Sequence, residues 1–302
     1  MSKQVNGRGT WKFGNGEYEG EWRGGKKQGR GKFVWEAGHT YEGDWSNDKR
    51  HGRGKMVFAN GQIYDGDWSE DKMHGRGKYA WPSGDTYEGD WIKDNKHGRG
   101  KMVFAAGGSY EGGYSEDKKH GMGKSVFADG GIYEGGHSEG TMQGRGKYVW
   151  VDGSIYEGEY SGGTMHGRGK YAYANGHTYE GDWIKDNKHG RGKYAWPNGD
   201  TYEGDWREGI RQGRGRWVHA NGNTYEGDWI GDKKHGRGVF AYAVDCNAPQ
   251  PGCDYCWSAG DSYNGEFKEG LRHGACTYTP PPLTPPNRLS LSNLITPKAT
   301  PS

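Results

Sequence analysis

Four cysteines near the C-terminal end have the spacing that comes closest to a metal site. Cys253 and Cys256 form a Cys-x-x-Cys pair, Cys246 precedes them, and Cys276 follows. Such a pair supplies half of a four-thiolate zinc site, which all four cysteines together would complete. Free thiols in a reducing compartment and a disulfide in an oxidising one are the alternatives, and the spacing leaves all three open.

Arginines recur at one position of a repeated Gly-Arg-Gly segment, and a guanidinium group is suited to bidentate binding of phosphate. Stacked strands would align these arginines along one flank, about 10 Å apart. One interpretation is a stripe that binds anionic lipid headgroups. The other is that each arginine pairs with an acidic residue, since 41 basic residues face 39 acidic ones. The candidates for the stripe are Arg53, Arg76, Arg99, Arg168, Arg191 and Arg214.

Histidines form a similar series just before a glycine. A metal site needs two or more imidazoles within ligand reach, whereas this spacing puts neighbours about 10 Å apart. We therefore expect them to serve hydrogen bonding between loop and strand. The members of the series are His51, His74, His97, His120, His166, His189 and His235.

Catalysis has no candidate residues in this sequence. It contains no Ser/His/Asp set, no paired carboxylates outside the repeated segment and no phosphate-binding loop, so we expect no enzyme. A formal charge of +2 gives no overall field that would attract nucleic acid. No apolar run approaches the length of a membrane span, and the expected location is the cytoplasm.

The elements that would position these residues are hairpins, best seen at His189–Trp206. Two aromatic runs flank Asn198-Gly199, a strong local hairpin signal. Placing all the rings on one face predicts that Trp196 pairs with Tyr202 and Tyr194 with Gly204, around a three-residue loop. The same register puts Lys193 opposite Asp205 and Ala195 opposite Glu203 on the other face.

Copies of this hairpin fill the chain. A Tyr-Glu-Gly motif or a close variant recurs every 23 residues (41 − 18, 64 − 41 and so on), and an eleventh copy at Tyr263 follows an insertion. A fixed period indicates stacked repeats, each buried only against its neighbours. Side by side, the hairpins would extend roughly 100 Å. The first ten copies begin at Tyr18, Tyr41, Tyr64, Tyr87, Tyr110, Tyr133, Tyr156, Tyr179, Tyr202 and Tyr225.

Three consecutive copies in the centre depart from the pattern. Where the others carry tryptophan, they carry Tyr114, His137 and Tyr160. A weaker, more bendable middle is the interpretation we favour, and a groove specialised for a partner is the alternative. Either predicts that this section is the least stable, since stability in such arrays is close to a nearest-neighbour sum.

Repeats of the form Tyr-Glu-Gly-Asp-Trp followed by His-Gly-Arg-Gly resemble MORN repeats, and the resemblance covers roughly residues 7–276. It implies an all-β, single-layer, elongated array of stacked antiparallel hairpins with an aromatic-lined groove. We expect an N-terminal extension at 1–6, ten hairpins at 7–244, a cysteine-containing insertion at 245–260, the last repeat at 261–276 and a disordered Pro/Ser/Thr-rich tail at 277–302.

The resemblance also implies a scaffolding or docking role, since MORN proteins include radial-spoke head proteins, junctophilins and protist cytoskeletal scaffolds. We expect a protein partner in the aromatic groove, within a cytoskeletal or ciliary assembly. A peripheral adaptor that binds phosphoinositides at the inner membrane surface, and a regulatory partner of a phosphatidylinositol phosphate kinase, are the alternatives. Some relatives self-associate through terminal repeats, which implies a homodimer. The expected groove rings are Tyr87, Trp91, Tyr179, Trp183, Tyr194, Trp196, Tyr202, Trp206, Tyr225 and Trp229.

Overall fold

The computed structural model describes residues 6–243 and 258–280, and every regular element in them is a β-strand. Accordingly, these residues include no helix that could cross a membrane. The chain forms two compact units, Met1–Arg211 and Gln212–Ser302. Within each unit the strands lie in a single layer and pair antiparallel with their neighbours in the chain. The all-β, single-layer prediction is therefore confirmed.

The first unit contains β1 to β18, which pair in chain order. Their bounds are β1 Gly7–Phe13, β2 Gly16–Arg23, β3 Lys26–Trp35, β4 Thr40–Ser46, β5 Lys49–Val57, β6 Ile63–Ser69, β7 Lys72–Ala80, β8 Thr86–Ile92, β9 Asn95–Val103, β10 Ser109–Ser115, β11 Lys118–Val126, β12 Ile132–Ser138, β13 Thr141–Val149, β14 Ile155–Ser161, β15 Thr164–Ala172, β16 Thr178–Ile184, β17 Asn187–Ala195 and β18 Thr201–Arg207.

The second unit begins within β19 and continues the same pattern through β23. Its strands are β19 Ile210–Val218, β20 Thr224–Ile230, β21 Lys233–Ala241, β22 Ser262–Lys268 and β23 Leu271–Thr279. The last strand thus runs three residues beyond the expected end of the final repeat at 276, because Thr277 to Thr279 still pair with β22.

Alternate connections are two-residue turns that bind the preceding repeat. At Lys93 and Asp94 both φ angles are positive, 51° and 72°, which is the type I′ geometry that suits the twist of a hairpin. The Asp94 carboxylate accepts a hydrogen bond from the Met73 N–H at 2.9 Å, and the Asp94 N–H donates to the Met73 carbonyl at 3.1 Å. Each such turn therefore joins two repeats as well as two strands.

The other connections are longer than the sequence pattern predicts. Tyr194 pairs with Tyr202, and Gly192 pairs with Gly204, so the expected pairing of Tyr194 with Gly204 is wrong by two residues. Residues 196–200 form a five-residue loop in place of the three-residue one. A shift of two residues leaves each side chain on its expected face, so alternation alone could not distinguish the registers.

The core consists of tyrosine rings that lie over pairs of glycines. Tyr87 is fully buried, and its ring covers Gly89 on its own strand and the opposite residue Gly100. A methyl group on Gly100 would lie 2.3 Å from the Tyr87 hydroxyl oxygen, so glycine is what makes room for the ring. The hydroxyl donates to the Asp90 carbonyl at 3.1 Å. The expected burial of rings against bare backbone is present, in the corrected register.

Tryptophans join one repeat to the next. The Trp91 ring lies edge-on to Tyr87 of its own repeat and to Tyr64 of the preceding one, at centroid distances of 5.1 and 5.5 Å. Its indole N–H donates to the Gly77 carbonyl at 3.2 Å. Edge-to-face pairs of this kind contribute about 0.5–1.5 kcal/mol beyond area burial. The contacts are local to neighbouring repeats, as the 23-residue period predicts.

The central repeats keep this packing and lose the indole hydrogen bond. Tyr114, His137 and Tyr160 are buried where tryptophan lies elsewhere. Within the described residues, His137 Nδ1 and the Tyr160 hydroxyl are buried with no hydrogen-bond partner. Burial, and then the Lys119 ammonium, lower the pKa of His137. Unpartnered buried polar atoms cost about 1–3 kcal/mol each, which is the physical basis for the prediction of a weaker centre.

Candidate binding faces of the sheet

Alternation of side chains divides each unit into two faces. On strands such as β17, Lys188, Gly192 and Tyr194 lie on an aromatic face, and Arg191 and Lys193 lie on a charged face. The layer is one sheet thick, so both faces are candidates for binding.

The aromatic face has a buried row and a half-exposed row of rings. Eight of the ten expected groove rings belong to the buried row, with exposures of at most 5%: Tyr87, Trp91, Tyr179, Trp183, Tyr202, Trp206, Tyr225 and Trp229. They lie beneath the surface and support it. Only Tyr194 and Trp196 of the predicted set are half-exposed.

The half-exposed row continues along the first unit. Its rings follow the Gly-Arg-Gly strands, just where each strand enters the longer loop. Trp150 of this row stacks on Tyr171 of the next repeat, with ring centroids 5.0 Å apart. The sequence analysis missed most of this row because it selected mainly the rings of the Tyr-Glu-Gly-Asp-Trp motif and did not consider how deeply each ring is buried. Its members in the first unit are Trp35, Phe58, Trp81, Phe104, Phe127, Trp150, Tyr173 and Trp196.

Cations cover the rings of the aromatic face. Lys188 Nζ lies 4.6 Å from the ring centroid of Tyr194 and 4.3 Å from that of Trp206. The guanidinium carbon of Arg50 lies 4.2 Å from the ring centroid of Trp68. Such cation–π contacts contribute about 0.5–2 kcal/mol. The sequence analysis did not single out these residues, although they share the alternation of the rings on their strand.

Turn aspartates neutralise part of this cation row. Arg50 Nε lies 3.1 Å from an Asp71 carboxylate oxygen. Lys27 has its pKa lowered by burial, against the opposing effect of Asp48 and Asp71. Beside them a cavity of about 550 Å³ opens, lined in part by Trp35 and Phe58. This part of the aromatic face is therefore an aromatic groove with little net charge.

The charged face carries alternating columns of opposite charge. Lys101 lies 3.5 Å from Glu111 and Lys124 lies 2.6 Å from Glu134. The corrected register also changes the expected pairs, because Lys193 lies opposite Glu203 and Asp205 lies opposite Arg191. Ion pairs this exposed contribute about 0–1 kcal/mol each.

Four of the six candidate lipid-binding arginines pair with aspartates on the next strand. The pairs are Arg76–Asp90 at 3.5 Å, Arg168–Asp182 at 3.7 Å, Arg191–Asp205 at 3.8 Å and Arg214–Asp228 at 3.5 Å. For Arg53 and Arg99 the described residues include no acidic partner within 4 Å. The pairing interpretation raised from the sequence thus applies to most of the series.

The described residues include the histidine series but none of the four cysteine side chains. The backbone carbonyl of His189 lies 3.4 Å from the Tyr179 hydroxyl, a contact between strands of one repeat. Among residues 6–243 and 258–280, no group of three or more His, Cys, Asp or Glu side chains could hold a metal ion. Cys246, Cys253 and Cys256 lie outside these ranges, as does the side chain of Cys276, so the zinc prediction stays untested.

The repeats match the MORN repeat profile eleven times, at residues 18–40, 41–63, 64–86, 87–109, 110–132, 133–155, 156–178, 179–201, 202–224, 225–246 and 263–279. The chain belongs to the MORN repeat family. Each MORN repeat begins at the buried tyrosine and comprises two strands joined by the two-residue turn. MORN repeats are non-catalytic binding modules, which agrees with a scaffold or binding protein.

Solved structures with similarity to this MORN protein are remote. The TCP10 domain of Danio rerio CPAP, in complex with a peptide of STIL, is 15% identical with a TM-score of 0.40, over 67% of this chain and 92% of that one. The TCP domain of Drosophila melanogaster SAS-4, with a proline-rich motif of Ana2, is 14% identical with a TM-score of 0.32, over 50% and 83%. A search of curated proteins finds no match.

Proposed function

We propose that this MORN protein is a non-catalytic scaffold that docks an extended segment of a partner protein on its aromatic face. The observation that carries the proposal is the row of half-exposed rings from Trp35 to Trp196, supported by a fully buried row beneath it. Rigid aromatic side chains on a packed base are the usual anchors of protein interfaces.

The spacing of the row defines the partner segment. Equivalent rings are two strands apart, about 10 Å, and an extended chain advances about 3.3 Å per residue. A segment that crosses the strands would therefore place every third residue over a ring. We expect apolar side chains at these positions, since the rings themselves are apolar and turn aspartates such as Asp71 neutralise cations such as Arg50.

The lipid-binding alternative has less support. Arg76 and Arg191 are exposed, but each has an aspartate within 4 Å, which reduces the local positive potential. The family resemblance supports a cytoskeletal or ciliary setting in the cytoplasm, and we include that setting in the proposal.

The test uses the full chain and a labelled synthetic peptide with leucine at every third residue and neutral polar residues between. We expect binding by fluorescence anisotropy, and we expect Trp81→Ser or Trp196→Ser to weaken it about 30-fold, the effect of a hot-spot residue. Arg76→Gln and Arg191→Gln, on the opposite face, are the matched controls, and circular dichroism checks that each variant is folded.

Salt dependence provides the second criterion. Contacts with aromatic rings tolerate salt, whereas binding of anionic lipid weakens steeply as ionic strength rises. Peptide binding that is unchanged in both tryptophan variants would refute the proposal. Sedimentation with phosphoinositide vesicles that the arginine variants abolish would favour the lipid adaptor instead.

A further inference from the structure

An aspartate on the charged face has a double role in several of the regular repeats. Asp90 lies 3.5 Å from Arg76 Nε through one carboxylate oxygen, and the other accepts a hydrogen bond from the Arg99 backbone N–H at 3.0 Å. The same arrangement recurs at the equivalent aspartates Asp44, Asp182 and Asp228. The sheet thus contains a repeated carboxylate site, formed by a guanidinium group and a backbone amide.

One repeat further on, this carboxylate is missing. Position 113, which is 23 residues after Asp90, is a glycine, and Gly113 pairs with Arg99. The residue equivalent to the amide donor is Met122, and its partner on β12 is Gly136, where the pattern again expects an acid. The guanidinium of Arg99 therefore faces a position with no carboxylate.

The surroundings of Gly113 make the vacancy accessible. The Arg99 side chain is exposed, and Met122 is 71% exposed, the most of any large apolar residue in the described ranges. Grooves on the same face flank it: one of about 900 Å³ includes Arg99 and Gly112, and another of about 660 Å³ includes Met122 and Arg145. A ligand can reach the position from either side.

Charge along this column favours an anion. In the regular repeats this column of residues alternates arginine with an acidic residue. From Arg99 to Arg145 it reads Arg99, Gly113, Met122, Gly136, Arg145, so two cations have no acid between them. Close packing explains part of the glycine pattern, since a methyl group on Gly113 would lie 2.2 Å from the His120 carbonyl oxygen. It does not explain the replacement of arginine by Met122, whose side chain is exposed.

We propose that Arg99, Gly113 and Met122 form a binding site for an aspartate or glutamate side chain from an acidic segment of a partner protein. The incoming carboxylate takes the place of the missing aspartate and accepts hydrogen bonds from the Arg99 guanidinium. Gly113 supplies no carboxylate of its own to occupy the guanidinium, and the Met122 side chain contacts the methylene groups of the bound residue. The site lies on the opposite face from the aromatic groove and is independent of it.

The experiment measures binding of a labelled peptide of glutamate and glycine to the full chain, by anisotropy at low salt. Loss of one charged hydrogen-bonding partner weakens binding about tenfold or more, which is the effect we expect for Arg99→Gln. Arg76→Gln is the matched control, because Arg76 occupies the same position in a repeat that keeps its aspartate, and we expect less than a twofold change.

A charge reversal makes the test decisive. Arg99→Glu replaces the cation with a carboxylate, leaves the glycine positions unchanged and should abolish peptide binding. Equal weakening by Arg99→Gln and Arg76→Gln would show non-specific attraction and overturn the proposal. Binding of phosphoinositide vesicles that depends on Arg99, without binding of the peptide, would also overturn it. Trp196→Ser should leave this peptide's affinity unchanged, so failure here is distinguishable from failure of the aromatic groove.

Discussion

Substitution of a single glycine should show whether tyrosine rings over bare backbone hold the repeats together. Gly100 lies opposite Gly89, and a methyl group on it would lie 2.3 Å from the Tyr87 hydroxyl oxygen and 2.5 Å from two ring carbons. The Tyr87 ring has no free space to move into, because it is fully buried between Trp91 and Tyr114, with centroid distances of 5.1 and 5.2 Å. Gly100→Ala therefore displaces the ring at the expense of its packing with these neighbours.

The magnitude follows from two contributions. Overpacking a close-packed core costs about 1–3 kcal/mol. Displacement of the ring also breaks the hydrogen bond from the Tyr87 hydroxyl to the Asp90 carbonyl, a net loss of about 0.5–1.5 kcal/mol. We expect Gly100→Ala to lower the free energy of unfolding by about 2–4 kcal/mol in total, with no contribution from backbone strain, since φ of Gly100 is not positive.

Gly14→Ala is the matched control. The chemical change is the same, φ is again outside the positive range, and the added methyl group meets no atom within 4 Å. This substitution should be neutral or stabilising by up to about 1 kcal/mol, since alanine restricts the unfolded chain. The contrast between the two variants isolates the contact with the ring.

Urea denaturation followed by tryptophan fluorescence measures the global effect. Native-state hydrogen exchange of β8 and β9 measures the local one, which is needed because repeat arrays often unfold in parts. If Gly100→Ala and Gly14→Ala have the same stability and the same exchange rates, the ring does not occupy the space that the structure gives it, and the reasoning is refuted.

Two further predictions concern the rings that join the repeats. Trp206→Phe keeps an aromatic ring but removes the N–H that donates to the Gly192 carbonyl at 3.1 Å. We expect the free energy of unfolding, measured by urea denaturation, to fall by about 1–3 kcal/mol. The control is Trp22→Phe, which should lower it less, because the Trp22 indole N–H has no hydrogen-bond partner within the described residues. Burial lowers the pKa of His137 below its unfolded value, so the unfolded state binds the extra proton and stability falls as pH decreases below about 6.5. Between pH 7.5 and 5.5 the wild type should lose up to about 1.4 kcal/mol more than His137→Tyr, and equal losses would contradict this.

Much of the fold follows from local signals that agree with one another. The 23-residue period, the alternation of rings with glycines and the turn residues each predict hairpins, and all predict the same faces. The strand register did not follow from these signals, because pairing Tyr194 with Tyr202 or with Gly204 satisfies the alternation of side chains equally well. The two registers differ in whether a tyrosine ring lies over a pair of facing glycines. That arrangement depends on how neighbouring repeats pack together, which alternation within one hairpin does not show.

The candidate sites were less predictable than the fold. Their motif position made Tyr87 and Trp91 conspicuous, yet both are buried, because Tyr114 of the next repeat packs on Tyr87 and Tyr64 of the preceding repeat packs on Trp91. The sequence of a single hairpin does not reveal this packing between repeats. Lys188 and its equivalents share the strand alternation of the rings and could have been found by extending the strand backwards from Lys193. The vacancy at Gly113 could have been noticed in the sequence as a missing aspartate, but its meaning depends on the two bonds that Asp90 makes.

The contact between Tyr64 and Trp91 has a consequence for how such a chain can evolve. The tyrosine of one repeat meets the tryptophan of the next in the same geometry as within its own repeat. Duplication or loss of a whole unit therefore creates no new type of junction, and natural variants should differ in length by multiples of 23 residues. The number of units can then change without redesign of the packing between them.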